Sequence, residues 1–148
     1  MRRVMRRIGT ALWVVLALIG GGVVALAALA QFDRREPARE ELLIRFADFE
    51  PLYSAKKALV VDVRDADSFA AGHIAGAIHV PLYALESRLA EVRTAAKGRL
   101  VVTYCSCPSE GTSLAAAGRL IGAGVRARAL VGGFPRWIEF GGPVERGK

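Results

Sequence analysis

The chain of 148 residues has no internal repeat, and aromatic residues make up only 7% of it. The sequence pI is near 10.1, yet no stretch interleaves clustered basic residues with aromatic ones, which argues against a nucleic-acid-binding surface. Hydrophobic residues at 53% and charged residues at 24% exclude a disordered or low-complexity chain. The length accommodates one ordinary domain and not two.

Charge is absent from residues 8–32, and this run raises the mean hydropathy of the chain to +0.31. An apolar helix needs about 20 residues to cross a bilayer, whereas a signal peptide has an apolar region of about 7–15 residues. The length therefore predicts an uncleaved transmembrane anchor over residues 1–32. Glycines at 20–22 and the small residues Ala28-Leu29-Ala30 leave two alternatives open, a signal sequence cleaved near Ala30 and a buried helix.

Four arginines precede the apolar run, at positions 2, 3, 6 and 7, and no acidic residue accompanies them. Because lysine and arginine resist translocation, we expect the N-terminus to stay in the cytoplasm. Everything from residue 33 onward is then expected outside the cytoplasm, on the periplasmic side of the inner membrane in a bacterium. The chain would be a single-pass membrane protein, or a secreted or periplasmic protein if the segment is cleaved.

Residues 33–43 are charged and predict a linker, and a globular domain follows over residues 44–146. Three short apolar runs, at 58–61, 100–104 and 127–131, are typical of strands buried on both faces. Helical patterns lie between them, over 49–55 with Asp48 as the cap, 66–71, 82–96, and 112–123 ending at Gly124. This alternation predicts an α/β fold, an open parallel sheet with helices on both faces.

Both cysteines of the chain fall in one loop, Cys105 directly after the strand at 100–104 and Cys107 two residues later. In a parallel sheet, ligands bind where strands end and loops enter helices. The N–H groups of such a loop and the following helix N-terminus favour a thiolate, and the same groups bind an oxyanion or a persulfide. Thr112 or Ser113 is predicted to cap that helix and orient the loop. A buried structural cysteine is the alternative.

Three stretches resemble the rhodanese-like domain family. The first is VVDVRDADSFAAGHIAGAIHVPL at 60–82, the second is LVVTYC with the loop after it, and the third is LVGGFPRWIEFGGPVE at 130–145. The three motifs stand in the family's order and cover about 100 residues, essentially everything after the linker. The resemblance implies one rhodanese-like domain, an open α/β fold around a parallel sheet.

The activity that the resemblance implies is sulfur transfer. A thiolate takes the sulfane sulfur of a donor such as thiosulfate, holds it as a persulfide, and passes it to a thiol acceptor, with no metal or organic cofactor. Two half-reactions of this kind predict ping-pong kinetics. Cys105 is the predicted nucleophile because it follows the strand directly. The family's usual spacing between the nucleophile and the helix end, here at Gly124, favours Cys107 instead. If Cys105 is the nucleophile, Cys107 resolves the persulfide or forms a disulfide with Cys105.

The loop departs from the family pattern in its charge. Members that use thiosulfate often carry a basic residue here, whereas residues 105–113 contain none. This makes thiosulfate a doubtful natural donor and counts against the phosphatase and arsenate-reductase relatives, whose loop ends in arginine. Glu110 disfavours a thiolate if its carboxylate points inward, and Arg136 is predicted to supply the missing positive charge. The predicted substrate-binding residues are Arg136 and the loop residues Ser106, Pro108, Ser109, Glu110, Gly111, Thr112 and Ser113.

Other polar residues receive structural interpretations. Asp62 and Arg64 are predicted to fix the loop after their strand rather than to react. His73 and His79 are spaced unlike a pair of metal ligands, so no metal site is predicted, and Trp137 is expected in the core. The predicted partners are a small sulfur donor, a thiol acceptor and the membrane; nucleic acid is not among them, and no protein partner is identified. Two alternatives remain, an inactive binding or sensing module and a thiol-redox or metal-handling protein built on both cysteines.

Overall fold

The computed structural model describes residues 38–147, in which strands and helices alternate. Short 3-10 turns stand at Arg39–Leu42 and Leu82–Ala84. The strands and helices are β1 (Leu43–Ile44), α1 (Phe46–Ser54), β2 (Ala58–Asp62), α2 (Ala66–Ala71), β3 (His73–Ile74), β4 (Ile78–His79), α3 (Leu89–Ala96), β5 (Leu100–Tyr104), α4 (Gly111–Gly122), β6 (Ala127–Leu130), α5 (Gly133–Glu139) and β7 (Val144–Glu145).

Five strands form one parallel sheet in the order β1-β6-β5-β2-β4. β5 lies at its centre, and the last residues of β2 and β5, Asp62 and Tyr104, face each other in register. β3 and β7 pair antiparallel in a separate two-stranded sheet. The predicted parallel α/β fold is confirmed, and the carboxyl ends of the central strands meet at one edge.

Helices cover both faces of the sheet because successive strand residues point in opposite directions. Val101 packs with α3 and α4 on one face, whereas Val102 packs with α1 and α5 on the other. Both valines are fully buried, and burying a side chain of this size contributes about 1.5–3 kcal/mol before chain entropy is counted. Because both faces of the central strands are buried, their sequences are unbroken apolar runs.

The predicted helix over 82–96 is wrong in its first half. A 3-10 turn covers Leu82–Ala84, and α3 begins only at Leu89. The Arg88 guanidinium donates to the carbonyl of His79 at 2.6 Å and pairs with Glu91. This contact holds the chain against the end of β4, so the helical pattern is interrupted there.

The other helix boundaries differ by a few residues. α1 begins at Phe46 rather than 49, and Asp48 lies in its first turn instead of at the N-cap, which Arg45 occupies without a side-chain cap. An aspartate in the first turn still interacts favourably with the helix dipole. The helix predicted over 66–71 is confirmed with the same bounds.

The folded unit begins inside the predicted linker. The turn at Arg39–Leu42 and the first residue of β1, Leu43, precede the expected domain start at residue 44. The predicted membrane segment over 8–32 and residues 33–37 of the linker lie outside the described residues. Over residues 38–147, no helix has both the length and the apolar character needed to cross a membrane.

Candidate active site

Cys105 directly follows the carboxyl end of β5 and is only 3% exposed. Its carbonyl oxygen accepts a hydrogen bond from the backbone N–H of Phe134 at 2.9 Å. A Cβ atom at Gly133, where φ is +52°, would collide with the same carbonyl, so only glycine fits this approach. The turn between β6 and α5 therefore fixes the backbone of Cys105.

Cys105 and Cys107 form a disulfide in the structure, with their Cα atoms 5.7 Å apart. This is the pairing that the sequence left as one alternative. The two sulfurs differ in their surroundings, because Cys105 is buried and Cys107 is half-buried between the exposed residues Ser106 and Pro108. Reduction of this disulfide is needed before either cysteine can act as a nucleophile.

Two hydroxyl groups of α4 lie beside the sulfurs. Ser113, fully buried, places its Oγ 3.5 Å from the Sγ of Cys105 and donates to the carbonyl of Glu110 at 3.1 Å. Thr112 places its Oγ1 3.7 Å from the Sγ of Cys107. The prediction that one of them caps the helix is wrong. Glu110 occupies the cap position in a left-handed conformation, and no side chain caps α4.

The loop of residues 105–110 leaves most of its backbone donors unpaired. Within residues 38–147, Glu110 is the only residue from 106 to 113 whose N–H donates a backbone hydrogen bond, to the carbonyl of Cys107 at 3.2 Å. The first N–H groups of a helix have no partner inside the helix, so those of Gly111, Thr112 and Ser113 are free as well. Free donors around one loop suit an anion or a polarised sulfur.

The Glu110 carboxylate is bound by two groups outside the cysteine loop. Its Oε1 accepts a hydrogen bond from the N–H of Gly132 at 2.9 Å, and its Oε2 lies 3.5 Å from the Arg39 guanidinium. Glu110 is 9% exposed, so these contacts replace water at both oxygens. The carboxylate therefore ties the cysteine loop to the β6–α5 turn and to the segment before β1.

Arg64 and Asp62 form a buried ion pair at the end of β2. The guanidinium donates to both carboxylate oxygens, at 2.6 Å for the shortest contact, and to the carbonyl of Gly72 at 2.6 Å. It also lies 4.3 Å from the ring centroid of Phe134, and its Nη1 is 3.5 Å from the Oγ of Ser106. Burial lowers the pKa of Arg64, but the hydrogen bonds and charge of Asp62 more than offset this, so the pKa is raised.

Tyr104, on the neighbouring strand, is hydrogen-bonded to the Asp62 carboxylate of this ion pair. Its hydroxyl donates to Asp62 Oδ2 at 2.6 Å and accepts a hydrogen bond from the N–H of Ile74 at 3.1 Å. Burial, and then the charge of Asp62, raises the pKa of Tyr104 well above its ordinary value. The phenol therefore stays protonated and links the ends of β2 and β5, directly before Cys105.

One positive charge that contacts the loop comes from a residue that sequence reasoning missed. Arg39 donates to the carbonyl of Ser109 at 2.9 Å, whereas the Arg136 guanidinium pairs with Glu139 at 2.7 Å and lies over Phe140. Arg39 fell in the predicted linker. The apolar run that begins at Leu42 was the available signal, since a strand there brings the preceding residues against the sheet.

A family model described as the rhodanese-like domain matches residues 47–140. The chain belongs to the rhodanese-like domain family. The uncharacterized protein YqhL of Bacillus subtilis is 34% identical over 93 residues, which span 63% of this chain and 68% of YqhL. The family resemblance of the sequence motifs is thereby confirmed.

Solved structures agree with the assignment to this family. The BH2092 protein of Bacillus halodurans has a TM-score of 0.62 at 25% identity, covering 82% of this chain and 86% of that one. A thiosulfate sulfurtransferase of Pseudomonas aeruginosa has a TM-score of 0.59 at 28% identity over 74% of this chain. The match covers only 21% of that enzyme, so this rhodanese-like domain corresponds to one part of it.

The two histidines of the domain lie apart from the cysteines. Both stack on Phe69, with ring centroids 3.7 Å away for His73 and 4.7 Å for His79. His73 Nδ1 lies 2.9 Å from the carbonyl of Phe69, and His79 Nε2 lies 3.0 Å from that of Arg64. No group of three or more His, Cys, Asp or Glu residues able to hold a metal ion occurs in the described part of the chain.

Trp137 lies in the core, as predicted. It is 2% exposed and packs against Phe49 and Tyr53 at centroid distances of 5.6 and 4.8 Å. Its indole N–H donates to the carbonyl of Pro143 at 3.0 Å. Trp137 therefore holds α5 on the sheet, and α5 carries the turn that contacts Cys105.

Proposed function

We propose that this rhodanese-like domain is a sulfurtransferase in which Cys105 carries the sulfur. It takes a sulfane sulfur from a donor of the thiosulfate or polysulfide type and passes it to a thiol acceptor. The observation that carries this proposal is the position of Cys105, at the end of the central strand and at the start of a loop with unpaired N–H groups. The partial similarity to a thiosulfate sulfurtransferase supports the same reaction class.

The first half-reaction loads the cysteine. The Cys105 thiolate attacks the outer sulfur of the donor, a new S–S bond forms at Cys105, and the donor's own S–S bond breaks. With thiosulfate the leaving group is sulfite, which keeps the bonding electron pair. The persulfide at Cys105 is more acidic than a thiol, and the free N–H groups of the loop stabilise its negative charge.

The second half-reaction transfers the sulfur from Cys105 to the acceptor. An acceptor thiolate attacks the outer sulfur of the persulfide, the acceptor persulfide forms, and Cys105 leaves as a thiolate. The Ser113 hydroxyl, 3.5 Å from the Cys105 Sγ, donates to that thiolate when its proton turns away from the Glu110 carbonyl. Hydrogen bonds to a charged acceptor contribute more than those between neutral groups.

The acceptor approaches past a surface groove of about 370 Å³. Arg64 and Phe134 line this groove, and Arg64 also lies beside Ser106 of the cysteine loop. Arg146 adds a second cation to the lining. A groove with basic and apolar walls suits a thiol that carries a negative group elsewhere in its molecule.

We also propose that residues 8–32 tether the domain to the membrane, with the domain on the extracytoplasmic side. The uncharged run and the four arginines before it support this topology. Cell fractions give the test. An anchored chain stays in the membrane pellet after alkaline extraction at its full mass, whereas a protein cleaved near Ala30 is released and is shorter.

The test of the activity is steady-state kinetics on the reduced full-length Cys107→Ser variant, in which the disulfide with Cys105 cannot form. Thiosulfate, inorganic polysulfide and 3-mercaptopyruvate serve as donors, and cyanide serves as the acceptor that yields thiocyanate. We expect parallel double-reciprocal plots with at least one donor and no activity in Cys105→Ser. A folded, reduced chain that is inactive with every donor would support the binding-module alternative instead.

A further inference from the structure

We infer that Cys107 is the resolving cysteine of the persulfide, so that the domain releases sulfide and draws its electrons from a dithiol. This inference rests on the proposed Cys105 persulfide and names the class of acceptor that completes its cycle. It assigns the domain a sulfane-sulfur reductase activity in addition to sulfur transfer to thiols.

The geometry that carries the inference is the reach between the two sulfurs. The Cα atoms of Cys105 and Cys107 are 5.7 Å apart, and the two residues form a disulfide in the loop as it stands. This separation lies within the usual range for disulfides. The chain contains no other cysteine. A thiol at Cys107 therefore lies within bonding reach of any sulfur species formed at Cys105.

The resolving step balances without an outside reagent. The Cys107 thiolate attacks the Sγ of the Cys105 persulfide, a bond forms between the two Sγ atoms, and the bond from Cys105 Sγ to the outer sulfur breaks. The outer sulfur leaves with the electron pair as hydrosulfide. The sulfane sulfur is thus reduced by two electrons, and the two cysteines are oxidised to the disulfide that the structure contains.

The unequal exposure of the two cysteines determines how the disulfide is reopened. Cys105 is buried, whereas Cys107 is half-buried and flanked by exposed residues. An external thiolate therefore reaches the Sγ of Cys107, and Cys105 is the leaving group. Thiol–disulfide exchange depends on access to the attacked sulfur and on the stability of the leaving thiolate. The Ser113 hydroxyl, 3.5 Å from the Cys105 Sγ, stabilises the thiolate that leaves there when its proton turns away from the Glu110 carbonyl.

A dithiol completes the cycle. Its first thiolate forms a mixed disulfide with Cys107, and its second thiol displaces Cys107, so the dithiol leaves as a disulfide. Both cysteines return to the reduced state. The net reaction converts one sulfane sulfur and one dithiol into one hydrogen sulfide and one disulfide, with two electrons passed from the dithiol to sulfur.

A single-turnover experiment tests the inference. The full-length chain and the variants Cys107→Ser and Cys105→Ser are reduced, freed of reductant under nitrogen, and mixed with inorganic polysulfide. Intact masses are measured without reduction after acid quenching at increasing times, and released sulfide is counted above the Cys105→Ser background. We expect the wild type to gain one sulfur atom briefly, then release sulfide and end two hydrogens lighter than the reduced chain. Cys107→Ser is expected to keep the added sulfur.

The remaining outcomes separate this inference from the function on which it rests. A wild-type chain that keeps the added sulfur as stably as Cys107→Ser overturns the resolving role and leaves the sulfurtransferase intact. No added sulfur in either of these chains overturns both. Stable sulfur on Cys105→Ser reverses the roles of the two cysteines and overturns the assignment made here.

A trapping experiment tests the direction of reopening. The oxidised wild-type chain is treated with glutathione in the presence of iodoacetamide, and the peptide that contains both cysteines is sequenced by mass spectrometry. We expect glutathione on Cys107 and the alkyl group on Cys105. Glutathione on Cys105 would overturn the direction of attack.

Discussion

The loops that follow β2 and β5 leave the sheet at the same edge but are held in different ways. After β2, the backbone N–H groups of Val63 and Arg64 are paired, with the carbonyl of Tyr104 and the carboxylate of Asp62, and the Arg64 guanidinium binds Asp62 as well. After β5, the loop has one internal backbone hydrogen bond and is fixed by Phe134, Gly132 and Arg39 from distant segments. A loop supported from outside keeps its own N–H groups free, and free donors are what a sulfur anion needs.

Removing the cation of the ion pair after β2 is expected to destabilise the domain most. In Arg64→Met, the carboxylate of Asp62, which is fully buried, loses its cation. Leaving a buried charge unpaired costs about 3–5 kcal/mol. Urea unfolding monitored by tryptophan fluorescence measures the loss. The double variant with Asp62→Asn is expected to be more stable than Arg64→Met alone; an equal or lower stability would contradict this account.

The loop after β5 is held in part by the close approach of Gly133 to the Cys105 carbonyl. Gly133→Ala places a methyl group against the carbonyl of Cys105, whereas Gly141→Ala meets no atom within 4 Å, although φ is positive at both glycines. Backbone strain is common to both variants, and only Gly133→Ala adds overpacking, so we expect it to lose about 3 kcal/mol. Its sulfur loading should fall as well. Equal losses in the two variants would show that the contact with Cys105 is unimportant.

The Glu110 carboxylate links the loop after β5 to Gly132 and Arg39. Glu110→Ala leaves the N–H of Gly132 without its acceptor and is expected to cost about 1–3 kcal/mol. Glu110→Gln keeps that acceptor and loses only the ion pair with Arg39, which is 60% exposed, so we expect at most about 1 kcal/mol. Iodoacetamide should alkylate Cys105 at the same rate in the reduced wild-type protein and in reduced Glu110→Gln. A rate that rises tenfold in Glu110→Gln would show that the carboxylate acts on the thiol.

Asp65 caps α2, just after β2, and its replacement is expected to have the smallest effect. The N–H of Ser68, and then its hydroxyl, lowers the pKa of Asp65 by hydrogen bonding. A lowered pKa stabilises the fold above the ordinary aspartate value of about 3.9, and this stability is lost as the pH falls through the lowered value. Asp65→Ala should therefore unfold at a slightly lower temperature at pH 7, and the difference should shrink in acid.

Asp65→Asn is the matched control for that measurement. Asparagine keeps an oxygen that accepts from the Ser68 N–H but does not titrate. Its unfolding temperature relative to Asp65→Ala should thus hardly change between pH 7 and acid. A wild-type advantage over Asp65→Ala that grows as the pH falls would contradict the direction of the pKa shift.

Local patterns were enough to predict the central sheet and one complete helix. The apolar runs at 58–61 and 100–104 become β2 and β5 because both faces of these strands are covered. The helix predicted over 66–71 is correct because Asp65 caps it within its own turn. The family motifs likewise placed Cys105 at the end of β5. These features depend on residues that are near each other in the chain.

The features that were missed depend on contacts between distant segments. The helix over 82–96 is split because Arg88 binds the carbonyl of His79, and no helical periodicity reveals that contact. The Glu110 carboxylate accepts from the N–H of Gly132, 22 residues later in the chain. Arg39 reaches Ser109 across 70 residues. Pairings of this kind require the fold and cannot be read from one loop.

Cys105, at the end of β5, is the residue that we propose carries the sulfur. Peptide mapping of reduced full-length Cys107→Ser and Cys105→Ser, each exposed to a sulfur donor and then alkylated, shows which cysteine does so. We predict an alkylated persulfide on Cys105 in the first variant and no persulfide in the second. A persulfide on Cys107 in Cys105→Ser, with none on Cys105 in Cys107→Ser, would contradict the claim.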